Sequence, residues 1–308
     1  MPKPRVSTTV ISFNQRQYLE ECLDSLLIQT FGDHEIIIRD DASTDGSQDI
    51  IRRYAAKYPR LIRAFYADKN GGLGTNRDAC QRATTGDFVA WLDADDVARP
   101  NRLAEQADFL AQHTECSLVY CNMTVARDAV HSNELVYGAH RPPLTGDYKT
   151  LLMHENFIIS SALMFRASAL TSRGYHQPAG PTYSDWHFFA RLARQGRIGY
   201  VDKILGVYRR HDRSATATAS RVDSGVRKRR EQALLSMEKE FKEDPALMRY
   251  CLARFYSSQL AGAVKERKAR VLVNAALKLV RRPGHAAQAI ADRRNGRYLL
   301  RGFEHQRG

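Results

Sequence analysis

Three carboxylates follow a short apolar run that covers residues 88–92. Asp93, Asp95 and Asp96 come after Phe-Val-Ala-Trp-Leu, which has the length and composition of a buried strand. Carboxylates this close together repel one another, and a divalent cation between them would relieve the repulsion. Oxygen ligands from a few carboxylates suit Mg²⁺ or Mn²⁺, which complete their coordination with water and substrate phosphate. A solvated acidic turn is the alternative interpretation, and the rest of the chain has to decide between the two.

Two further sets of polar residues follow predicted strands. Asn14 comes at the end of the strand predicted over residues 6–13, and Asp40 and Asp41 follow the strand predicted over residues 35–38. The carboxyl ends of parallel strands share one edge of a sheet, and ligands bind outside that edge. We therefore expect these side chains and the acidic strand end to converge on one binding site.

The common glycine-rich phosphate-binding motifs are absent from the sequence. No Gly-x-Gly-x-x-Gly follows the first predicted strand, and there is no Gly-x-x-x-x-Gly-Lys-Ser/Thr. A bound diphosphate would therefore depend on a metal ion and on side chains. Arg77, on the segment that leads into the acidic strand, is the nearest cation that could assist. An exposed helix arginine is the alternative interpretation of Arg77.

The first 92 residues alternate between strand and helix patterns. Strand-like and helical segments alternate in the order 6–13, 18–27, 35–38, 50–58, 61–67, 74–83 and 88–92. Four strands separated by three helices predict an α/β fold with a mostly parallel, Rossmann-related sheet flanked by helices. Further along the chain we predict strands over 116–125 and 158–165, a loop over 128–147 and a helix opening at Tyr183.

The composition is that of a globular protein with a sizeable core. The chain has 308 residues, of which 43% are hydrophobic. Its first residues lack the apolar core of a signal peptide, and no run of eighteen apolar residues occurs. We therefore expect a cytoplasmic protein that does not span a membrane. The five cysteines include no Cys-x-x-Cys pair, so we expect reduced, mostly buried thiols rather than disulfides or a zinc site.

The part of the chain after residue 220 is predicted to be helical and basic. Residues 221–308 contain 21 Lys and Arg against 9 Asp and Glu, a net +12, which leaves +1 for the rest. Apolar stripes at helical spacing over 252–260 and 273–280 are expected to pack against the main domain. Peripheral docking of this extension on an anionic membrane surface is a second hypothesis. A nucleic-acid partner is not expected, because aromatic residues are not interleaved with the basic ones.

Four segments of the first half share a pattern of fixed order and spacing. They are Val-Ser-Thr-Thr-Val-Ile-Ser-Phe-Asn at 6–14, Ser-Leu-Leu-Ile-Gln-Thr-Phe at 25–31, Glu-Ile-Ile-Ile-Arg-Asp-Asp-Ala-Ser-Thr-Asp-Gly-Ser at 35–47 and Leu-Asp-Ala-Asp-Asp at 92–96. Over about residues 5–215 the chain resembles the family 2 inverting glycosyltransferases of the GT-A fold. The resemblance implies that Ser12 and Asp41 contact the base of a nucleoside-diphosphate sugar. It also implies that Asp93 contacts the ribose and Asp95 the metal on the diphosphate, with Asp96 as a possible substitute for Asp95.

Segments of the second half match the same family. Residues 157–166 resemble its acceptor-side segment, and Tyr-Arg-Arg-His ending at His211 resembles its Tyr-Arg-x-His pattern. The resemblance implies that His211 approaches the metal or the diphosphate, and that Asp185 is the base that deprotonates the acceptor hydroxyl. From its position alone, Asp185 could also be a first-turn carboxylate that stabilises a helix N-terminus. Arg209 and Arg210 could either clamp phosphate or form a solvated basic turn.

Taken together, the residues and the resemblance predict a metal-dependent inverting glycosyltransferase. It would use Mn²⁺ or Mg²⁺ and transfer a sugar from a nucleoside-diphosphate donor, predicted to be UDP-linked, to a hydroxyl of a glycan or lipid-linked acceptor in surface polysaccharide assembly. We predict a nucleotide-sugar-binding half over 1–115, an acceptor-binding and catalytic half over 116–219 and a basic helical extension over 220–308. The alternative from another class is a catalytically inactive nucleotide-sugar-binding protein whose basic tail is an interaction module.

Overall fold

Strands and helices alternate through the first half of the chain in the computed structural model, which describes residues 6–170, 184–214, 217, 223–265, 269–281, 284 and 287. The strands are β1 (Val6–Ser12), β2 (His34–Asp40), β3 (Ile62–Tyr66), β4 (Phe88–Asp93), β5 (Val97–Ala98), β6 (Cys116–Arg127), β7 (Val130–Leu135), β8 (Leu163–Arg166) and β9 (Arg197–Arg210). The α-helices are α1 (Arg16–Leu27), α2 (Ser47–Lys57), α3 (Leu73–Arg82), α4 (Arg102–Gln112), α5 (Tyr148–His154), α6 (Ser184–Arg194), α7 (Asp223–Glu240), α8 (Pro245–Lys265) and α9 (Ala269–Val280). Tyr183, where α6 was predicted to open, lies outside the described residues.

These strands form one sheet with the order β3-β2-β1-β4-β8-β6-β9-β5, and β7 pairs with β6 outside this order. β1 to β4 lie parallel to one another. β8 runs antiparallel to both β4 and β6, and β6 and β9 form a further parallel pair. Ile36, Ile37 and Ile38 of β2 are all fully buried, as expected for a parallel strand covered by helices on both faces. The predicted α/β fold is confirmed.

The strand register places the predicted polar strand ends side by side. Ser12 at the end of β1 is the partner of Asp40 at the end of β2, and Ile11 is the partner of Asp93 at the end of β4. Asp41 follows Asp40 directly. Hydrogen-bonded neighbours in a sheet lie about 5 Å apart, so these three strand ends form one edge. Asp40, Asp41 and Asp93 thus lie on the predicted edge, whereas Asn14 is engaged with the loop after β2, where its Oδ1 accepts from the Thr44 N–H at 2.9 Å.

Trp91 of β4 joins the acidic strand to helix α6. Its side chain is fully buried, and its ring stacks on Phe188 of α6 with the centroids 4.9 Å apart. The ring of Phe165 on β8 meets Trp91 edge-on at 6.1 Å. Such offset and edge-on aromatic pairs add directional preference to the burial of large apolar surfaces. This contact fixes the position of α6 relative to the end of β4.

The predicted strand over 158–165 is correct only in its last part. Ser160–Ala162 form a 3₁₀ turn, and β8 begins at Leu163. The Ser160 hydroxyl donates to Asp93 Oδ2 at 2.9 Å, and the Asp93 N–H donates to Ser161 Oγ at 3.0 Å. These side-chain hydrogen bonds at the end of β4 offer the chain an alternative to the strand ladder, which is why the strand starts late.

The stretch predicted as a loop over 128–147 contains strand β7. β7 pairs antiparallel with β6 in a hairpin, and most of its residues are exposed. Asp128, at the turn, has φ 51, a conformation that Asp tolerates better than most residues. A strand exposed on both faces carries no apolar alternation, and therefore the pattern that identifies strands is missing here.

The C-terminal helices confirm one predicted apolar stripe and correct the other. Leu252 and Phe255 of α8 are 0% and 3% exposed, as expected for a packed face. On α9, however, Val273 and Leu277 are 55% and 62% exposed, and Leu279 is buried instead. A helix with apolar residues on two sides does not reveal by its spacing which side packs. No helix of the described residues is long and apolar enough to cross a bilayer.

The cysteines have the state predicted for them. All five are buried and none is in a disulfide. Burial in apolar surroundings raises the pKa of the Cys80 thiol to about 12 and that of Cys121 to about 11. Thiols with such values stay protonated at neutral pH and are poor nucleophiles. The cysteines therefore belong to the core and not to a reactive site.

Candidate functional site

A cavity of about 650 Å³ opens at the carboxyl ends of β1 and β4. Its walls come from these strand ends, from the segment before β8, and from helices α6 and α7. Ligand sites of open α/β sheets lie at this edge. The predicted site residues that line the cavity are Ser12, Asp41, Asp93, Asp95 and Asp185. The two other predicted site residues, Arg77 and His211, lie behind these and contact them.

Ser12 and Asp41 form the wall at the ends of β1 and β2. Ser12 is buried, and its Oγ has no hydrogen-bond partner among the described residues. Asp41 Oδ1 accepts from the Gly71 N–H at 3.0 Å, and Oδ2 accepts from the Gly72 N–H at 2.9 Å. Gly72 has φ +82, which favours glycine, so the loop can turn back onto the carboxylate. Each carboxylate oxygen keeps a lone pair that a bound molecule can use.

Asp93 is held in one orientation by groups on both of its oxygens. Oδ1 accepts from Arg77 Nη2 at 2.8 Å, and Oδ2 accepts from the Ser160 hydroxyl at 2.9 Å. The Asp93 side chain is nevertheless 26% exposed toward the cavity. Its carboxylate is therefore preorganised and still accessible to a hydroxyl donor.

Arg77 is neither at the cavity surface nor an exposed helix arginine. Its side chain is fully buried, and its guanidinium lies 4.0 Å from the centroid of the Trp91 ring. A buried guanidinium requires a paired carboxylate, and Asp93 provides it. The structure corrects the expectation that Arg77 reaches a phosphate: Arg77 orients Asp93 from behind the wall.

Asp95 and His211 contact each other at the rim of the acidic strand end. Asp95 Oδ2 and His211 Nε2 are 2.9 Å apart, and the Tyr18 ring packs on the imidazole at a centroid distance of 4.8 Å. The short strand β5 brings them together, because Val97 pairs antiparallel with Val207 of β9. Since β5 has only two residues, no periodicity in the sequence indicates it.

The Asp95–His211 pair has the chemistry of a partial metal site. It offers one carboxylate oxygen and one imidazole nitrogen at the same point, and His211 Nδ1 has no hydrogen-bond partner among the described residues. In the described ranges no group of three or more His, Cys, Asp or Glu could hold a metal by itself. Mg²⁺ and Mn²⁺ commonly take one or two protein ligands and complete their shell with water and substrate phosphate. The residues present therefore fit a metal that is also bound by a diphosphate, and the imidazole suits Mn²⁺ better than Mg²⁺.

Asp96 has a different position from Asp95. It is buried, and its Oδ1 accepts from the Arg209 N–H at 2.7 Å. Burial raises the pKa of the Asp96 carboxyl well above its ordinary value, and the charges of Asp95 and Asp93 raise it further. Asp96 thus fastens the acidic turn to β9, and it is Asp95 that meets His211.

Arg209 differs from both of its predicted roles, whereas Arg210 is solvated, as the alternative interpretation predicts. Arg209 is 2% exposed, its Nε donates to the Asp95 carbonyl at 2.8 Å, and its guanidinium pairs with Glu21. A guanidinium engaged in this way belongs to the framework that holds the acidic turn and is not available as a phosphate clamp. Arg210 is an exposed surface residue, 3.4 Å from Glu134.

Asp185 lies in the first turn of α6 and lines the cavity together with Asp93 and Asp95. The side chain is partly exposed, as a group that exchanges protons with a bound molecule has to be. The next residue, Trp186, is buried and donates from Nε1 to the Leu151 carbonyl at 2.8 Å, which fixes the start of the helix. A first-turn carboxylate also stabilises the helix N-terminus, so the two interpretations of Asp185 are compatible.

Helix α6 is joined to α7 by an ionic cluster. Glu240 at the end of α7 accepts from Arg191 Nε at 2.6 Å and Nη2 at 2.8 Å, and it lies 2.8 Å from His187 Nε2. Burial opposes ionisation of Glu240, but the nearby His187 and the hydrogen bonds from Arg191 outweigh it and lower the pKa of the carboxyl to about 2. The C-terminal extension therefore holds the helix that carries Asp185.

Among the residues that the sequence did not single out, Asn76, Arg213 and Arg229 also line the cavity. Asn76 is buried, and its Oδ1 has no hydrogen-bond partner among the described residues. It directly precedes Arg77, so its place before the acidic strand was the available signal. Arg213 follows His211 by two positions. Arg229 belongs to the extension, and nothing in the sequence connects it to the acidic strand end.

Comparison with sequence families identifies relatives of this chain. Residues 7–174 match the profile described as "Glycosyl transferase family 2". The putative glycosyltransferase EpsE of Bacillus subtilis is 36% identical over 199 residues, which are 64% of this chain and 69% of EpsE. An uncharacterized protein of Mycobacterium tuberculosis is 32% identical over 210 residues. The matched part is 67% of this chain, and it spans only 59% of the length of that relative.

Solved structures share the fold of this chain. TarS of S. aureus, in complex with UDP-GlcNAc, has a TM-score of 0.60 at 17% identity, over 95% of this chain and 92% of that chain. The mannosyltransferase PcManGT of Pyrobaculum calidifontis, in complex with GDP-Man and Mn²⁺, has a TM-score of 0.57 at 19% identity, over 94% and 87% of the two chains. At such low identity the likeness shows a common GT-A architecture.

Proposed function

Because this chain belongs to glycosyl transferase family 2, we propose that it is a metal-dependent, inverting glycosyltransferase of surface polysaccharide assembly. Its donor is a nucleoside-diphosphate sugar, UDP-linked, and its acceptor is a hydroxyl of a glycan or of a lipid-linked glycan. The observation that carries this proposal is that Asp185 and Asp95, which contacts His211, line one cavity. The names of relatives such as EpsE and the teichuronic acid glycosyltransferase TuaG of Bacillus subtilis support the polysaccharide part of it.

The donor nucleotide binds at the ends of β1, β2 and β4 in this proposal. Ser12 Oγ and Asn76 Oδ1 are buried polar atoms without a partner among the described residues, so they can take up polar groups of the base. Asp41 contributes a carboxylate acceptor on the same wall, and Asp93 accepts from a ribose hydroxyl. The TarS complex with UDP-GlcNAc supports a uridine nucleotide by analogy of fold.

Asp95 and His211 would hold the metal ion of this proposal, Mn²⁺ or Mg²⁺. When bound, the ion neutralises charge that develops on the leaving diphosphate. The contact of the two side chains, and the buried position of His211, keep the ligands in place before the donor arrives. The Mn²⁺ in the PcManGT complex supports this assignment by analogy of fold.

Asp185 is the catalytic base of the proposed reaction. Its carboxylate takes the proton of the acceptor hydroxyl while that oxygen forms a bond to the anomeric carbon. The bond from the anomeric carbon to the diphosphate oxygen breaks on the opposite face, which inverts the configuration. Burial of Trp186, and the contact of Phe188 with Trp91 of β4, hold Asp185 at a fixed place relative to Asp93.

The chain divides in this proposal into two halves of one GT-A domain, 1–115 for the donor and 116–219 for the acceptor, and an extension over 220–308. The exposed apolar face of α9, formed by Val273, Leu277 and Val280, is a membrane-docking surface. The net +12 charge of residues 221–308 complements an anionic bilayer, so we assign the protein to the inner face of the membrane. Full-length protein that fails to float with anionic liposomes at low salt would contradict this assignment.

Calorimetry with a panel of nucleoside diphosphates, in Mn²⁺ and in chelator, tests the proposed function. We expect one nucleotide, UDP, to bind in a metal-dependent manner, followed by metal-dependent turnover of the matching sugar nucleotide. Folded protein that binds none of them would refute the proposal. Tight nucleotide binding without turnover toward any hydroxyl acceptor would instead favour an inactive nucleotide-sugar-binding protein with an interaction tail.

A further inference from the structure

Helix α7 contributes one cation to the cavity, although it lies outside the part of the chain that matches the family profile. Arg229 lines the cavity together with Asp185 and Asn156. The other arginines of the lining are Arg209, which is engaged with Glu21, and Arg213. The extension therefore takes part in forming the site.

Arg229 has no counter-ion in the described part of the protein. It is partly buried, and its Nε is buried without a hydrogen-bond partner among the described residues. The neighbouring Arg230 contrasts with it, because its guanidinium pairs with Glu155. A partly buried guanidinium with no carboxylate beside it among the described residues can pair with an anionic group of a bound molecule. The cavity wall therefore carries a guanidinium that can bind an anionic ligand.

The surroundings of Arg229 place that anion on the Asp185 side of the cavity. α7 packs on α6, which carries Asp185, and the two helices are joined through Glu240. Arg230, the next residue, is fastened to Glu155, directly before Asn156 in the wall. The donor residues Ser12, Asp41 and Asp93 instead lie at the strand ends. Arg229 therefore lies on the side of the cavity that carries Asp185, and not at the strand ends that carry the donor residues.

We propose that Arg229 binds an anionic group of the acceptor, a phosphate or a carboxylate, so that the enzyme selects acidic glycan acceptors. This inference rests on the proposed function, since it takes the nucleotide sugar to be the donor. A bidentate guanidinium contact would orient the acceptor and bring its hydroxyl to Asp185.

The experiment uses the full chain and ligand-observed NMR. Wild-type protein saturated with UDP and Mn²⁺ is titrated with glycerol 1-phosphate and, separately, with glucuronate. The variant Arg229→Gln is compared with Lys228→Gln, which removes the same charge from an exposed neighbour on α7. We expect wild type and Lys228→Gln to bind at least one probe, and Arg229→Gln to bind it about tenfold more weakly or not at all. UDP affinity, which reports a folded donor site, should be unchanged in both variants.

Several results would overturn the inference. If Arg229→Gln weakens UDP binding as well and leaves uridine binding unchanged, the guanidinium serves the donor diphosphate. Equal loss of probe binding in Lys228→Gln would show a general surface-charge effect, and wild type that binds neither probe would remove the anion site. Wild-type protein that binds no nucleoside diphosphate would refute the proposed function itself, and with it this inference.

Discussion

Neighbouring aspartates at the end of β4 have three different environments. Asp93 is locked between Arg77 and Ser160, Asp95 meets His211, and Asp96 is buried against the Arg209 backbone. The alternation of side chains along a strand and the turn after it separate residues that are adjacent in sequence. We therefore expect substitutions of the three aspartates to have different consequences.

Replacing Asp95 by Asn should remove the metal-dependent part of nucleotide binding. The amide carries no charge and is a weaker ligand for a hard cation. Calorimetry in Mn²⁺ should give a UDP affinity equal to that of wild type in chelator. Asp49→Asn, at an exposed position on α2, is the matched control and should bind as wild type. Undiminished Mn²⁺ dependence in Asp95→Asn would show that another residue holds the metal.

Replacing Asp185 by Asn should abolish transfer and preserve donor binding. The amide keeps the shape of the side chain but cannot accept the proton of the acceptor hydroxyl. We expect turnover to fall by about 10²-fold or more, with the UDP affinity within about twofold of wild type. Product formation by the variant at near wild-type rates would refute the assignment of Asp185 as base.

Replacing Arg77 by Met should destabilise the protein and loosen the proposed ribose site at Asp93. It leaves Asp93 without its buried partner, which should cost about 3 kcal/mol of unfolding free energy. Arg82→Met is the control on the same helix, because its ion pair with Asp78 is exposed and should contribute less than about 0.5 kcal/mol. Urea unfolding measures both. Equal stability of the two variants would contradict the framework role of Arg77.

At the level of the elements, the contact between α6 and α7 determines the position of Asp185. α6 packs on Trp91 through Phe188 on one side and is held by Glu240 of α7 on the other. The position of Asp185, the proposed base, therefore depends on a helix of the extension, and both Asp185 and α7 follow the family-matched segment 7–174. The extension is in this sense part of the site and not only an appendage.

Replacing Glu240 by Gln should destabilise the protein by about 2 kcal/mol at neutral pH, after allowance for its partial exposure. The pKa of Glu240 is lowered to about 2 from an ordinary 4.5. Its contribution should therefore be fully present above about pH 4.5 and disappear as the pH falls toward 2. Urea unfolding at pH 7 and pH 3 checks this: the difference between wild type and variant should shrink at pH 3. Glu243→Gln, in a more exposed pair with Arg194, should show little difference at either pH.

For the molecule as a whole, charge and apolar surface are unevenly distributed. The basic residues are concentrated after residue 220, and the same region exposes an apolar helix face. The extension has one apolar helix face that is packed and another that is exposed. α8 is buried against the domain, whereas α9 presents Val273, Leu277 and Val280 to solvent.

The double variant Val273→Ser, Leu277→Ser should separate membrane docking from folding. Both side chains are more than half exposed, so the unfolding free energy should change by less than about 1 kcal/mol. Flotation with anionic liposomes should decrease strongly, because the apolar face supplies the insertion energy. Leu252→Ser on the buried face is the contrasting control and should destabilise the fold. Flotation of the double variant at the wild-type level would exclude the α9 face as the docking surface.

Local sequence determined the elements of the first half and the residues at the strand ends. Strand and helix periods, and the polar residues that end each strand, depend on neighbours a few positions apart, so they can be identified without the fold. Asp40, Asp41 and Asp93 were therefore placed correctly on one edge of the sheet. The two-residue strand β5 and the exposed hairpin strand β7 carry no such period, and the sequence did not indicate them.

Only the tertiary structure decided which side chains face the cavity. The Arg77 side chain can be buried because Asp93 pairs with its charge. Asp95 rather than Asp96 contacts His211 because of the β5–β9 register. Arg229 joined the site because α7 packs beside α6. Each of these contacts connects residues far apart in the chain, and its geometry depends on the packing of whole elements. Local propensity carries no information about such distances, so only the folded chain specifies them.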